Sequence, residues 1–152
     1  MKNSATYIAA TLLAIGATGP VNAAIYAPPQ IMVEKANVQY ITGGIGKDEV
    51  TQVRQLARKH DFNVQLTFAW NTGNFLADIP VTINDAHGKP VFTLEKSDPV
   101  LMLRLPAGRY TATATYDGTM MKQTFNAPAH GTRNVRFAWQ RPQDSLGITA
   151  RR

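Results

Sequence analysis

The side chains best able to move a proton near neutral pH in this chain are three histidines, His60, His87 and His130. No two lie three or four apart, the spacing that would place a metal-ligand pair on one helix face. They can act together only if distant loops bring them to one place. His87 and His130 each precede a glycine, as turn residues do. The chain has no cysteine, which excludes thiolate nucleophiles, thiolate metal ligands and disulfides. Its serines are Ser4, Ser97 and Ser145, and none sits in a Gly-x-Ser-x-Gly elbow. Asp78, Asp85, Asp98 and Asp117 fall at strand ends or turns, where aspartate ordinarily forms the turn. No two of them stand out as an acid and base pair. The expectation is therefore no catalytic, metal or cofactor-binding residue. The competing reading is a small hydrolase whose histidines gather at one loop end.

The stretch Ile41-Thr42-Gly43-Gly44-Ile45-Gly46-Lys47-Asp48 raises a second chemical question. A glycine-rich loop before a helix can cradle phosphate. A Walker loop needs glycine where Ile41 stands and Ser or Thr where Asp48 stands. A dinucleotide loop needs a third glycine where Glu49 stands. Asp48 and Glu49 would also repel a phosphate from the helix start. The loop reads as a strand-to-helix turn, with Gly46 expected at a positive φ.

The elements that would position these residues follow from periodicity. Residues 1–23 carry one charge, Lys2, then an apolar run from Tyr7 to Ile15, then Val21-Asn22-Ala23. This is the pattern of a secretory signal peptide with cleavage after Ala23. The run is shorter than the ~20 residues a membrane span needs. Residues 24–61 read as an extended leader containing Pro28-Pro29, a short strand near Val38 to Ile41, the glycine turn and a helix. In that helix Val50, Val53, Leu56 and Ala57 share one face. Asp48 and Glu49 open it, and Arg58 and Lys59 close it, an order that complements the helix dipole.

Residues 62–140 alternate with period two. Val64, Leu66, Phe68 and Trp70 face one way, against Asn63, Gln65, Thr67 and Ala69. The same alternation marks Ile79-Val81-Ile83, Phe92-Leu94, Leu101-Leu103-Leu105, Tyr110 to Tyr116 and Val135-Phe137-Trp139. Strands with one buried and one wet face read this way. Turn residues separate them, and Asp117-Gly118 is a strong hairpin signal. The fold class expected is mainly β, an antiparallel Ig-like or prealbumin-like sandwich of about seven strands with one N-terminal helix. Residues 141–152 have no period and form a basic tail expected to be mobile.

Residues 79 to 118 resemble the carboxypeptidase regulatory-like domain, a transthyretin-like sandwich. The resemblance rests on the strand Val81-Thr82-Ile83, the turn Asp85 to Lys89, and Leu105-Pro106-Ala107-Gly108-Arg109-Tyr110. Ser97-Asp98-Pro99 stands where members often have a glycine turn. The resemblance implies a fold and an accessory, binding or stabilising role. Transthyretin-like hydrolases acting on hydroxyisourate end in Tyr-Arg-Gly-Ser, whereas this chain ends Ala150-Arg151-Arg152.

Cleavage after Ala23 leaves 129 residues, with 15 Lys and Arg against 10 Asp and Glu. The basic residues are scattered, without the aromatic-laced stripe that nucleic-acid binding would want. The expected role is a non-enzymatic periplasmic or secreted module. Its partner would be an envelope protein, a peptide or a glycan, with no nucleic acid and no transmembrane span. Oligomeric state is not legible in the sequence. Protein recovered from a periplasmic fraction should begin at Ala24 on N-terminal sequencing; a start at Met1 would overturn the signal-peptide reading.

Overall fold

A computed structural model describes residues 28–33 and 37–142; the proposed signal segment and most of the proposed tail lie outside the described residues. The elements run β1 (Met32–Val33), β2 (Gln39–Gly43), α1 (Lys47–Lys59), β3 (Val64–Trp70), β4 (Ile79–Asp85), β5 (Pro90–Ser97), β6 (Val100–Arg104), β7 (Gly108–Tyr116), β8 (Thr119–Ala127) and β9 (Arg133–Trp139). They form two sheets, ordered β1-β2-β6-β3-β9 and β5-β4-β7-β8. The described residues form a β-sandwich with one helix.

The apolar faces named by the alternation meet between the sheets. Leu66, Phe68, Ile83, Phe92, Leu103 and Phe137 are among the residues buried there. A second core lies on the other side of the first sheet. There Val50, Val53 and Ala57 of α1 close over Ile41, Val100 and Met102, with Phe62 beside them. The strand β6 is thus apolar on both faces, Leu101 and Leu103 towards the second sheet and Val100 and Met102 under the helix. A strand buried on both faces loses its period-two signature.

Among the described residues all strand pairs are antiparallel save one. β3 and β9 run parallel over seven residues, from Val64 opposite Arg133 to Trp70 opposite Trp139. A parallel pair needs a long connection. Here the connection is the five strands β4 to β8.

The corner from Leu105 to Tyr110 has the geometry its residues imply. Leu105 and Tyr110 are buried. Gly108 lies at φ +156°, a conformation that a side chain resists. The Tyr110 hydroxyl donates to the Pro106 carbonyl at 2.7 Å, in the manner of a tyrosine corner. Burial, and then the Asp85 carboxylate, push that hydroxyl above the ordinary phenol range, so it stays protonated and able to donate. The ring stacks beside Phe125 at 6.0 Å. A buried ring of this kind contributes about 3 to 5 kcal/mol and its satisfied hydroxyl about 1 kcal/mol.

The glycine loop needs one correction. Gly46 is the extended N-cap of α1, at φ −135°, not at positive φ. The positive φ belongs to Gly44, at +105°. A Cβ on Gly44 would lie 3.0 Å from Cγ2 of Val100 and 3.3 Å from Cγ2 of Val50. A Cβ on Gly43 would lie 2.8 Å from Cγ2 of Val53. These two glycines let the helix sit directly on the sheet. A Cβ on Gly46 would meet nothing within 4 Å. Gly44→Val should therefore cost about 3 kcal/mol through strain and overpacking. Gly46→Val should cost about 1 kcal/mol or less, the difference in N-cap preference. Urea midpoints of the two variants check the order; equal midpoints would refute it.

Candidate functional site

At one end of the sandwich three segments far apart in sequence enclose a cleft of about 520 Å³. The last turn of α1 supplies Arg58, and the following turn supplies Asp61, Phe62 and Asn63. The segment leaving β6 supplies Arg104, Leu105 and Ala107, and the β8–β9 connection supplies Pro128 to Thr132.

Asn63 is what joins these segments. It is only 8% exposed, although the alternation of β3 places it on the wet face. Its Nδ2 donates to the carbonyls of Leu105 at 2.7 Å and Pro128 at 2.9 Å. Its Oδ1 accepts from the Leu105 amide at 2.9 Å. Its own amide donates to the Leu103 carbonyl, and its carbonyl accepts from Arg133. The Thr132 hydroxyl adds a bond to the Phe62 carbonyl at 3.3 Å. The cleft therefore has a rigid polar base beneath exposed charged groups.

Those groups are Arg58, Arg104, His130 and Asp61, all exposed at the rim. Among the described residues neither arginine is ion-paired. Arg104 also borders a shallower depression of about 550 Å³ with Asn37, Gln39, Leu105 and Pro106. Arginine keeps its charge at every physiological pH and offers five donors in a planar fork. Two unpaired arginines beside one histidine suit an anionic group.

The histidines are not brought to one site. His60 is the exposed C-cap of α1, its amide donating to the Ala57 carbonyl. His87 is exposed in the β4–β5 turn, its amide bonded to Oδ1 of Asp85 at 2.9 Å. Only His130 lines the cleft, with Asp61 as the acid on the same rim. Among the described residues no group of three His, Asp or Glu side chains could hold a metal ion.

The aspartates act largely as turn formers. Asp85 closes its turn through the amides of His87 and Lys89. Asp61, Asp78 and Asp117 sit at positive φ, a conformation aspartate tolerates. Asp98 differs. Burial first, then the charges of Glu49 and Asp78, hold its carboxyl above the ordinary carboxylate range. This acidic cluster spans three distant segments and was not legible from spacing. In the glycine loop, the Glu49 carboxylate accepts from the Ile45 amide at 2.9 Å. It takes up a donor that a phosphate would otherwise use.

A second cleft, of about 490 Å³, lies at the opposite end between Trp70, Tyr116, Met121 and Trp139. Its aromatic rings are committed to packing. Trp70 meets Tyr116 edge-on at 5.1 Å, and the Arg141 guanidinium lies 5.9 Å from the Trp70 ring centre. The Trp139 indole donates to the Thr119 carbonyl at 3.0 Å.

No protein-family model matches the chain, and no curated protein matches it.

Asn63→Leu should cost about 3 kcal/mol, because it strands the Leu105 amide and two carbonyls in a buried place. It should also speed amide exchange in residues 128 to 132. Urea melts with exchange mass spectrometry check this; wild-type exchange across that loop would show that Asn63 does not hold it.

Proposed function

We propose that the chain is a non-enzymatic binding or structural module of the bacterial periplasm or extracellular space, with a carboxypeptidase regulatory-like fold. Its basic end-cleft holds an anionic group of an envelope protein, peptide or glycan. The observation that carries this reading is the pairing of Arg58 with Arg104 across one cleft, both free of ion pairs among the described residues. Arginines bind anions without exchanging protons, so a cleft they dominate is built to hold a ligand. The export reading is supported by the charge, apolar run and small residues of positions 1–23. The family reading is supported by the Leu105-to-Tyr110 corner and its Tyr110 to Pro106 bond.

A second reading, a small hydrolase, has one observation in its favour: His130 and Asp61 border the same cleft. It would make His130 the general base.

Calorimetric titration with tetraglutamate and with inorganic phosphate separates the two. Binding should weaken at least tenfold in the Arg58→Ala/Arg104→Ala double variant and fall as salt rises. Affinity unchanged in that variant overturns the binding reading. Turnover of ester or peptide substrates that His130→Ala abolishes would establish the hydrolase instead.

A further inference from the structure

The two sheets end in four edge strands, and three of them carry a structural feature that discourages pairing with another chain. β1 is two residues long and follows Pro28-Pro29. β5 begins at Pro90, and its register with β4 is broken twice. β8 opens beside Asp117 and carries Lys122 near its middle. β9 is different. It is seven residues long and pairs with β3 in unbroken register.

The hydrogen bonds at its two ends fix which backbone groups point outward. The Arg133 amide donates to the Asn63 carbonyl, and the Trp139 carbonyl accepts from the Asn71 amide. In a continuous parallel ladder, Arg133, Val135, Phe137 and Trp139 then turn both backbone groups towards β3. Asn134, Arg136 and Ala138 turn theirs to the free edge. Their side chains lie on the outer face, where Arg136 is exposed.

We propose that the free edge of β9 accepts an extended acidic segment of another polypeptide as an added strand, with a carboxylate side chain opposite Arg136. The charge of this corner selects the partner. Between Gly118 and Gln143 the chain has Lys122, Arg133, Arg136 and Arg141 and no Asp or Glu. The charged side chains of β9 itself, Arg133 and Arg136, are both positive, so an acid opposite Arg136 meets a cation. The acids that share a cleft with the ends of the strand are Asp61, beside the loop before it, and Asp117, beside Ala138 and Trp139. A second copy is disfavoured by the same residue. Arg136 is the central residue of β9, so two antiparallel copies would set Arg136 against Arg136, a like-charge pair directly opposite. The edge is blocked against itself by charge alone and stays open to a complementary strand.

The test uses the full mature chain, labelled for amide NMR. The probes are a nine-residue peptide alternating glutamate with threonine or valine, and its lysine-for-glutamate counterpart. The acidic peptide should shift and protect the amides of Asn134, Arg136 and Ala138, and the basic peptide should not. Asn134→Pro removes one outward amide and leaves the β3 ladder whole, so it should weaken binding at least tenfold. Arg136→Glu should reverse the preference between the peptides. Arg136→Val should produce a dimer whose population rises with concentration on sedimentation. The Arg58→Ala/Arg104→Ala variant should bind the acidic peptide at β9 as the parent does, which separates this site from the end-cleft. The proposal is overturned by absence of binding, by equal binding of both peptides, or by shifts confined to β8 or the cleft.

Discussion

The carboxamide of Asn63 is the interaction on which the functional end of this protein depends. One side chain makes three hydrogen bonds, to both backbone groups of Leu105 and to the carbonyl of Pro128. Its main chain adds bonds to Leu103 and Arg133. Four segments are thereby held together: the turn after α1, the exit of β6, and the two ends of the β8–β9 connection. Each of these is a place where a helix or strand ends or begins and its backbone groups need new partners. Unpaired buried donors or acceptors cost about 1 to 3 kcal/mol each. An asparagine supplies both kinds of partner in one plane, which neither aspartate nor leucine can do. The exposed charges of the cleft take their relative positions from that fixed base.

The centre of the molecule is organised by β6. Its pairing with both β2 and β3 places a short apolar strand between the helix and the second sheet. Burial on both faces explains why Gly43 and Gly44 are needed at the approach of α1. The helix has to come within contact of Val100, and a Cβ on Gly44 would occupy that space. The glycine loop therefore serves packing. Glu49, reaching back to the Ile45 amide, completes a helix start that is electrostatically filled by its own side chain.

Most of the sandwich was legible because its strands keep one dry and one wet face. Val64, Leu66 and Phe68, or Val135, Phe137 and Trp139, announce both their conformation and their burial. The helix was legible for the same reason at a different period. What escaped did so for physical reasons that particular residues illustrate. Val100 and Met102 interleave with Leu101 and Leu103, so no period separates the two cores they serve. Asn63 and Ala69 fall on the wet phase of β3, yet both are buried, Asn63 where the exit of β6 and the β8–β9 connection bond to it and Ala69 where the chain after β3 returns to bridge it at Phe75. Local pattern reports the strand's own phase and is silent about what a distant loop will cover. The parallel pairing of β3 with β9 depends on the route of five intervening strands. The cleft was hidden in the same way, since Arg58, Arg104 and His130 share no motif and meet only through topology.

Charge shows the same conversion of an unpatterned sequence into a patterned surface. The basic residues look scattered along the chain. In the fold, the end that holds Arg58, Lys59 and Arg104 also receives Lys89, Arg109 and Arg133, because the β4–β5 turn and the starts of β7 and β9 lie there. The other end receives the start of α1 with Asp48 and Glu49, together with Asp78 and Asp98. The orientation of α1 reinforces this division. Its dipole favours acids at its start and bases at its close, and those ends coincide with the two ends of the sandwich. Burial first, and then the charges of Glu49 and Asp78, hold the Asp98 carboxyl at that end above the ordinary carboxylate range. Protonation relieves both effects: a carboxyl raised in the folded state favours folding more as pH falls through its titration. The acidic end thus concentrates carboxylates that repel one another, while at the opposite end Asp61 and Asp85 are outnumbered by lysines and arginines. Among the described residues neither Arg58 nor Arg104 is ion-paired, which leaves both open to an anionic ligand.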